Sequence, residues 1–243
     1  MVAGSPESAR RLKAGERIAG KYRLKSKIAQ GGMGAVWVAK NELTGADVAL
    51  KLLRPDGNAA ADVVERFRHE ARLGGQLRHR SITRVFDLLE EADGTLVLVM
   101  ELLRGETVQA LMRRKTALDA REAIAIVVPI LSALDHAHEM GIVHRDVKPA
   151  NIFLSIDPDG TVLPKLFDFG IAKGGTQGFQ TLEGRVLGTP AYMSPEQIRA
   201  TADELTGRSD LFSMGIVLYE MLTGAPPFDS SVPSAALAAA SAA

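Results

Sequence analysis

Hydrophobic positions change their period several times along this chain. From Tyr22 the apolar residues come in short runs separated by turn formers, which predicts strands near 22–29, 35–41 and 47–53. Leu43-Thr44-Gly45 supplies the turn between the last two. Residues 60–77 change to helical spacing, with Val64, Phe67, Ala71 and Leu77 recurring among charges. Gly74-Gly75 near the end of that helix is unusual, because glycine in a helix interior costs about 1 kcal/mol relative to alanine. Thr95-Leu96-Val97-Leu98-Val99-Met100 is nearly all apolar and β-branched in part, a pattern for a buried strand. Asp119-Ala120-Arg121-Glu122 has the form of a capping box and opens a helix running to about Met140, with Gly141 as its stop. Pro129 inside it should kink or locally open the helix. Residues 1–20 are polar and carry Gly, Pro and Ser, the composition of a flexible arm.

Composition narrows the function classes. Lys plus Arg and Asp plus Glu both total 29, so a net charge of zero gives no electrostatic footprint for nucleic acid or an anionic membrane. The absence of cysteine excludes disulfides, thiolate zinc sites and a cysteine nucleophile. Among five histidines, His136 and His138 are two apart, a spacing that does not put both rings on one helix face, and they read as structural. No long apolar run and no signal-peptide core are present, so no membrane segment is expected and the cytoplasm is the default location.

The candidate chemistry centres on His144-Arg145-Asp146-Val147-Lys148-Pro149-Ala150-Asn151, followed after sixteen residues by Asp168-Phe169-Gly170. An acid, a lysine and an asparagine at this spacing, then a second acid, suit phosphoryl transfer. Asp146 can take the proton of an attacking hydroxyl, while Asn151 and Asp168 hold divalent metal on the phosphates. Upstream, Ile28-Ala29-Gln30-Gly31-Gly32-Met33-Gly34-Ala35-Val36 joins the first two strands. Glycines there let backbone N–H groups close over phosphates, and an ordinary hairpin turn accounts for them equally well. Lys51 lies between apolar neighbours on a strand, where its charge requires a partner unless the side chain reaches solvent at a sheet edge.

These motifs, in this order, resemble the bacterial eukaryotic-like (Hanks-type) serine/threonine protein kinases. The gapless H-R-D-x-x-x-x-N at 144–151, the Asp168-Phe169-Gly170 triplet and Val48-Ala49-Leu50-Lys51 carry the likeness. The resemblance implies an α+β, two-lobe fold with ATP bound between the lobes. Its divisions would be the arm at 1–20, a β-rich small lobe at 21–101, a mainly helical and incomplete large lobe at 102–228, and an Ala/Ser-rich tail at 229–243. It further implies that Lys51 positions the phosphates of ATP and is held by Glu70, with Glu65 a weaker candidate. Ile28, Ala29, Gly31, Gly34, Val36 and Ala49 would line the nucleotide. Met100 would be the gatekeeper, and the backbones of Glu101 and Leu103 would meet the adenine edge. Ala29 stands where the family has the first glycine of its G-x-G-x-x-G turn. Gly74 stands where many members carry a bulky side chain, which suggests a loosely held, regulated helix.

In the helical part, Lys148 is the serine/threonine form and would steady charge on the transferred group. Arg145 beside Asp146 is typical of members switched on by phosphorylation, since phosphate pairs well with guanidinium. Thr181 and Thr176 are the candidate phosphosites, and Glu183 is either a fixed partial substitute for phosphate or an ordinary surface glutamate. Gly188–Glu196 resembles the substrate-docking loop and A-P-E motif, with Ser194 in place of the alanine. Residues 207–223 resemble the family's central helix, ended by Gly224 and Pro226-Pro227. Asp210 there would brace the catalytic-loop backbone, or else serve as a surface helix cap.

The motif likeness runs from about Tyr22 to Phe228. A full member continues for several helices, one of which brings an arginine to the glutamate matching Glu196, so a fragment or a truncated member is expected. The expected activity is transfer of the γ-phosphoryl group of Mg2+-ATP, with Mn2+ as an alternative ion, to Ser or Thr of proteins. Homodimers would serve autophosphorylation. The alternatives are a pseudokinase acting as a regulatory binding module, and a small-molecule phosphotransferase, which Lys148 and the docking loop disfavour.

Overall fold

The computed structural model describes residues 12–31, 34–53, 61–169, 190–198 and 205–228. They divide into one unit of Met1–Ala71 with Val85–Leu102, and a second of Arg72–Arg84 with Leu103–Ala243.

The short apolar runs of the first unit pair into an antiparallel sheet. Its strands are β1 (Arg17–Ile18), β2 (Tyr22–Gly31), β3 (Gly34–Asn41), β4 (Asp47–Leu53), β5 (Val85–Glu90) and β6 (Leu96–Met100), in the order β1-β2-β3-β4-β6-β5. Alternation then sorts side chains onto two faces. One face carries Tyr22, Leu24, Trp37, Leu50, Leu52, Val97 and Val99, which form a core cluster with Ile18 and Val48. Against Leu96 and Leu98 on the other face packs α1 (Ala61–Gln76), through Phe67 and Ala71.

The expected flexible arm needs correction at its end. Ile18 is buried, Arg17–Ile18 pair with Tyr22 and Arg23, and the Gly15 N–H donates to the Leu24 carbonyl at 2.8 Å. The apolar Leu12 and Ile18 give residues 12–20 something to bury, which outweighs their polar average. Residues 1–11 lie outside the described residues.

The second unit is built around α3 (Ala120–Glu139) and α5 (Gly207–Thr223), with α2 (Val108–Arg114), the short α4 (Pro195–Ile198) and the three-stranded sheet β7 (Gly105–Thr107), β8 (Ile152–Ile156) and β9 (Val162–Leu166). Ala123, Ile126, Val127, Ile130, Ala133, Leu134 and Ala137 of α3 are buried at helical spacing and meet Met214, Val217 and Met221 of α5. The capping box is present in both directions between Asp119 and Glu122. At the other end Gly141 takes a positive φ of 73°, and Ile142 N–H reaches back to the Ala137 carbonyl, closing a Schellman turn. The helix continues through Pro129. Gly224 caps α5 in the left-handed region. The cap at the start of α5 is Thr206, not Asp210, which is buried inside the helix.

Candidate active site

Burial alternates along the loop after α3. Ile142, His144, Val147, Pro149 and Asn151 are buried, and the half-buried Asp146 and Lys148 stand between them. The buried residues anchor a segment of irregular backbone that ends in a single 3-10 turn, Pro149–Asn151, so Asp146 and Lys148 are held without an α-helix or strand beneath them.

His144 is fully buried. Its Nδ1 accepts from the Asp146 N–H at 3.2 Å and its Nε2 lies 3.3 Å from the Phe167 carbonyl, so a neutral ring protonated on Nε2 satisfies both. Burial holds its pKa below the ordinary imidazole value, against the opposing pull of Asp210 and Asp146. The ring packs on Phe169 at a centroid distance of 4.7 Å.

Arg145 occupies the left-handed region at φ 64°, a conformation costing about 1–2 kcal/mol for a residue with a Cβ. Asp210 offsets the strain. Its Oδ1 accepts from the Arg145 N–H and its Oδ2 from the His144 N–H, both at 2.8 Å, and Oδ2 also meets His138 Nε2 at 2.8 Å. A carboxylate 1 % exposed is thereby satisfied by the groups it positions. Gly207 leaves room for this arrangement, since a Cβ there would stand 2.5 Å from His138 Nδ1.

The result is a tight polar cluster. Lys148 Nζ is 2.9 Å from Asp146 Oδ2, and Asn151 Nδ2 donates to the Asp146 carbonyl at 2.9 Å and to Oδ2 at 3.1 Å. Because the Asn151 amide nitrogen faces acceptors, its oxygen is the end left to face a cation. The β8–β9 hairpin brings Asp168 alongside: Ile152 pairs with Leu166, and the Phe167 N–H donates to the Asn151 carbonyl at 3.1 Å. Asp168 is exposed and, at φ 54°, also left-handed. An amide oxygen and a carboxylate suit a hard divalent cation such as Mg2+, so these residues fit the metal that the motif implies.

The first unit gathers Ala29, Val36, Ala49, Lys51 and Met100 on one sheet face. Ala29 pairs with Val36, Val36 with Lys51, Val38 with Ala49, and Ala49 with Met100, and directly paired residues point to the same side. Lys51 Nζ meets Glu70 Oε1 of α1 at 2.7 Å. Glu65, the weaker candidate, instead faces Arg68 at the surface. Ile28 is 53 % exposed, and the half-buried Glu101 and Leu103 follow β6 on an irregular stretch. Gly31 pairs with Gly34, while the intervening Gly32 and Met33 lie outside the described residues. Gly34 has a reason for being glycine that involves no phosphate. It sits at φ 137°, and a Cβ there would stand 1.8 Å from the Leu52 carbonyl oxygen.

Gly170, Thr176, Thr181, Glu183 and the start of the Gly188–Glu196 segment also lie outside the described residues. The end of that segment is bolted to α5. Tyr192 OH donates to Glu220 at 2.7 Å, Ser213 Oγ to the Tyr192 carbonyl at 2.7 Å, and Ser209 Oγ to Glu196 at 2.5 Å. Burial, then the bond to Glu220, raises the Tyr192 pKa. An arginine was the expected partner of Glu196, and the Ser209 hydroxyl of α5 is one partner the structure supplies. Sequence reasoning left His138 without a site role and passed over Gln197, Ser209 and Ser213. The partners that tie them to the site are 13 to 72 residues away, beyond any local spacing rule.

The model of the protein kinase domain matches residues 22–240, extending into the Ser/Ala-rich stretch after Phe228. A probable serine/threonine-protein kinase of Corynebacterium efficiens is 42 % identical over 223 residues, covering 90 % of this chain and 33 % of that protein. Serine/threonine-protein kinase PknA of Mycobacterium tuberculosis is 40 % identical over 220 residues, or 89 % of this chain and 50 % of PknA. PrkC of Bacillus subtilis is 41 % identical over 215 residues, or 88 % and 32 %. The chain thus spans between about a third and half of the length of these curated relatives. With its α+β architecture and with bacterial serine/threonine kinases as its relatives, the chain belongs to the protein kinase family.

Proposed function

We propose that this chain is a serine/threonine protein kinase domain that transfers the γ-phosphoryl group of ATP to a Ser or Thr hydroxyl of a protein. The observation that carries this reading is the Asp146–Lys148–Asn151 cluster, closed at 2.9–3.1 Å on a backbone clamped by Asp210. In the reaction the acceptor oxygen attacks the γ-phosphorus, the bond to the bridging β–γ oxygen breaks, and ADP leaves. Asp146 orients the hydroxyl and takes its proton. Lys148 steadies charge on the group in transfer, a task for a cation fixed in place beforehand. Lys51, steadied by Glu70, positions the phosphates. Asn151 and Asp168 would hold the divalent cation, which when bound neutralises phosphate charge. Val36, Ala49 and Met100 offer the adenine an apolar face, with Ile28, Ala29, Gly31 and Gly34 on the hairpin beside it and the backbones of Glu101 and Leu103 at its edge.

Lys148 and the names of the relatives support a Ser/Thr acceptor. Use of ATP as donor supports a cytoplasmic location. Among the described residues no helix is long and apolar enough to cross a membrane. Phosphorylation of Thr181 or Thr176, within a homodimer, is the control we assign. Its support is Arg145, whose Nε is buried without a hydrogen-bond partner among the described residues and would pair with phosphate. The test is incubation of the chain with radiolabelled ATP, Mg2+ and a Ser/Thr-rich protein, followed by phosphoamino-acid analysis, with Asp168→Ala as control. Phosphoserine or phosphothreonine from the unsubstituted chain alone is expected. Equal label from Asp168→Ala, or none from either, overturns the reading.

A further inference from the structure

Arg145 is strained, and Asp210 secures only one end of its backbone. Its N–H goes to Asp210, but the direction of the peptide joining it to Asp146 also depends on what its carbonyl meets. That partner is Gln197 of α4, whose Nε2 donates to the Arg145 carbonyl at 2.9 Å. Gln197 is 1 % exposed. Its amide orientation is fixed independently: Oε1 accepts from the Ser194 N–H at 3.0 Å, and the Gln197 N–H lies 3.4 Å from Ser194 Oγ. The nitrogen therefore has to face Arg145. On the other side of the same peptide plane, the Asp146 N–H is taken by His144 Nδ1. The plane that aims Asp146 is thus held at its oxygen by Gln197 and at its nitrogen by His144.

We propose that Gln197 is a positioning residue for the phosphoryl-transfer reaction. It links the segment bearing Tyr192 and Ser194 to the orientation of Asp146. A buried amide bonded at both ends serves this better than a charge, since it donates at one end and accepts at the other with no ion to desolvate. The consequence is that the seating of residues 190–197 on α5 is felt at the catalytic loop through one side chain. This rests on the kinase reading for its effect on rate, though not for its effect on the loop.

The experiment compares the full chain with Gln197→Glu and Gln197→Asn by amide hydrogen exchange and by phosphotransfer kinetics. Glu is nearly isosteric but sets an oxygen against the Arg145 carbonyl, and Asn is one methylene too short to span the gap. In both variants exchange at residues 144–147 should rise about tenfold, the loss expected for one buried hydrogen bond, while α3 stays protected. kcat should fall about 10- to 100-fold with the KM for ATP unchanged, as expected for a misdirected group that does not bind nucleotide. Unchanged exchange and kcat would overturn the proposal, as would loss of protection spread equally over α3. Absence of phosphotransfer in the unsubstituted chain would sink the kinase reading, while the exchange comparison still decides the role of Gln197.

Discussion

The Lys51–Glu70 pair of the first unit and the Asp210 clamp of the second hold functional groups by different means. Lys51 and Glu70 reach each other at 2.7 Å with long side chains, each still about one-seventh exposed. Asp210 is 1 % exposed and takes hydrogen bonds from two consecutive backbone N–H groups and a histidine, all at 2.8 Å. The contrast follows the tasks proposed for them. A lysine that meets the phosphates of an exchanging nucleotide benefits from adjustable reach. A carboxylate that aligns a hydroxyl for in-line attack benefits from a backbone with no freedom left. The strain at Arg145 belongs to the second strategy, because a left-handed residue persists only where its surroundings over-determine it.

That contrast predicts where substitutions will be felt most. Asp210→Ala should cost roughly 3–5 kcal/mol, as loss of a buried, fully bonded charge does, measured by urea unfolding. A cost below about 1 kcal/mol would mean that Asp210 is not the clamp. Gly34→Ala should cost about 1–3 kcal/mol through the collision with Leu52. Its unfolding midpoint in the absence of nucleotide would separate a packing role from a phosphate-cradling one.

The pH dependence should also mark the second unit. His144 and His79 both have pKa values lowered in the folded state, chiefly by burial. Unfolding therefore takes up protons below the ordinary histidine range, so stability should be fully present above about pH 6.5 and decline as pH falls through it. The slope is about 1.4 kcal/mol per pH unit for each proton at most. Thermal melts between about pH 7.5 and pH 5.5 should show the decline, and His144→Phe should flatten it. The smallest change runs the other way. Gly75→Ala meets open space on α1 and should stabilise by about 0.5–1 kcal/mol.

The parts of this architecture that obey local rules were legible from sequence: the strand runs, the capping box at Asp119 and Glu122, the Gly141 and Gly224 stops, and the motif residues themselves. The supports of the site were not. His138, Ser209 and Gln197 act on partners that the fold brings near, and a histidine or glutamine on a helix has the same local signature whether it braces a loop or faces water. Gly34 was legible as glycine but not for its reason, since the crowding comes from the Leu52 carbonyl on a neighbouring strand. The ordered residues 12–20 were hidden by a polar average that masked two well-placed apolar side chains, Leu12 and Ile18.

The central claim is that Lys51 serves nucleotide positioning and Asp146 the chemistry. It is tested most directly by measuring label transfer from radiolabelled ATP and nucleotide-induced thermal shift on the same samples of the unsubstituted chain, Lys51→Met and Asp146→Asn. Asp146→Asn should keep the thermal shift and lose transfer, whereas Lys51→Met should lose transfer with a diminished shift. Transfer by Asp146→Asn at the rate of the unsubstituted chain would contradict it.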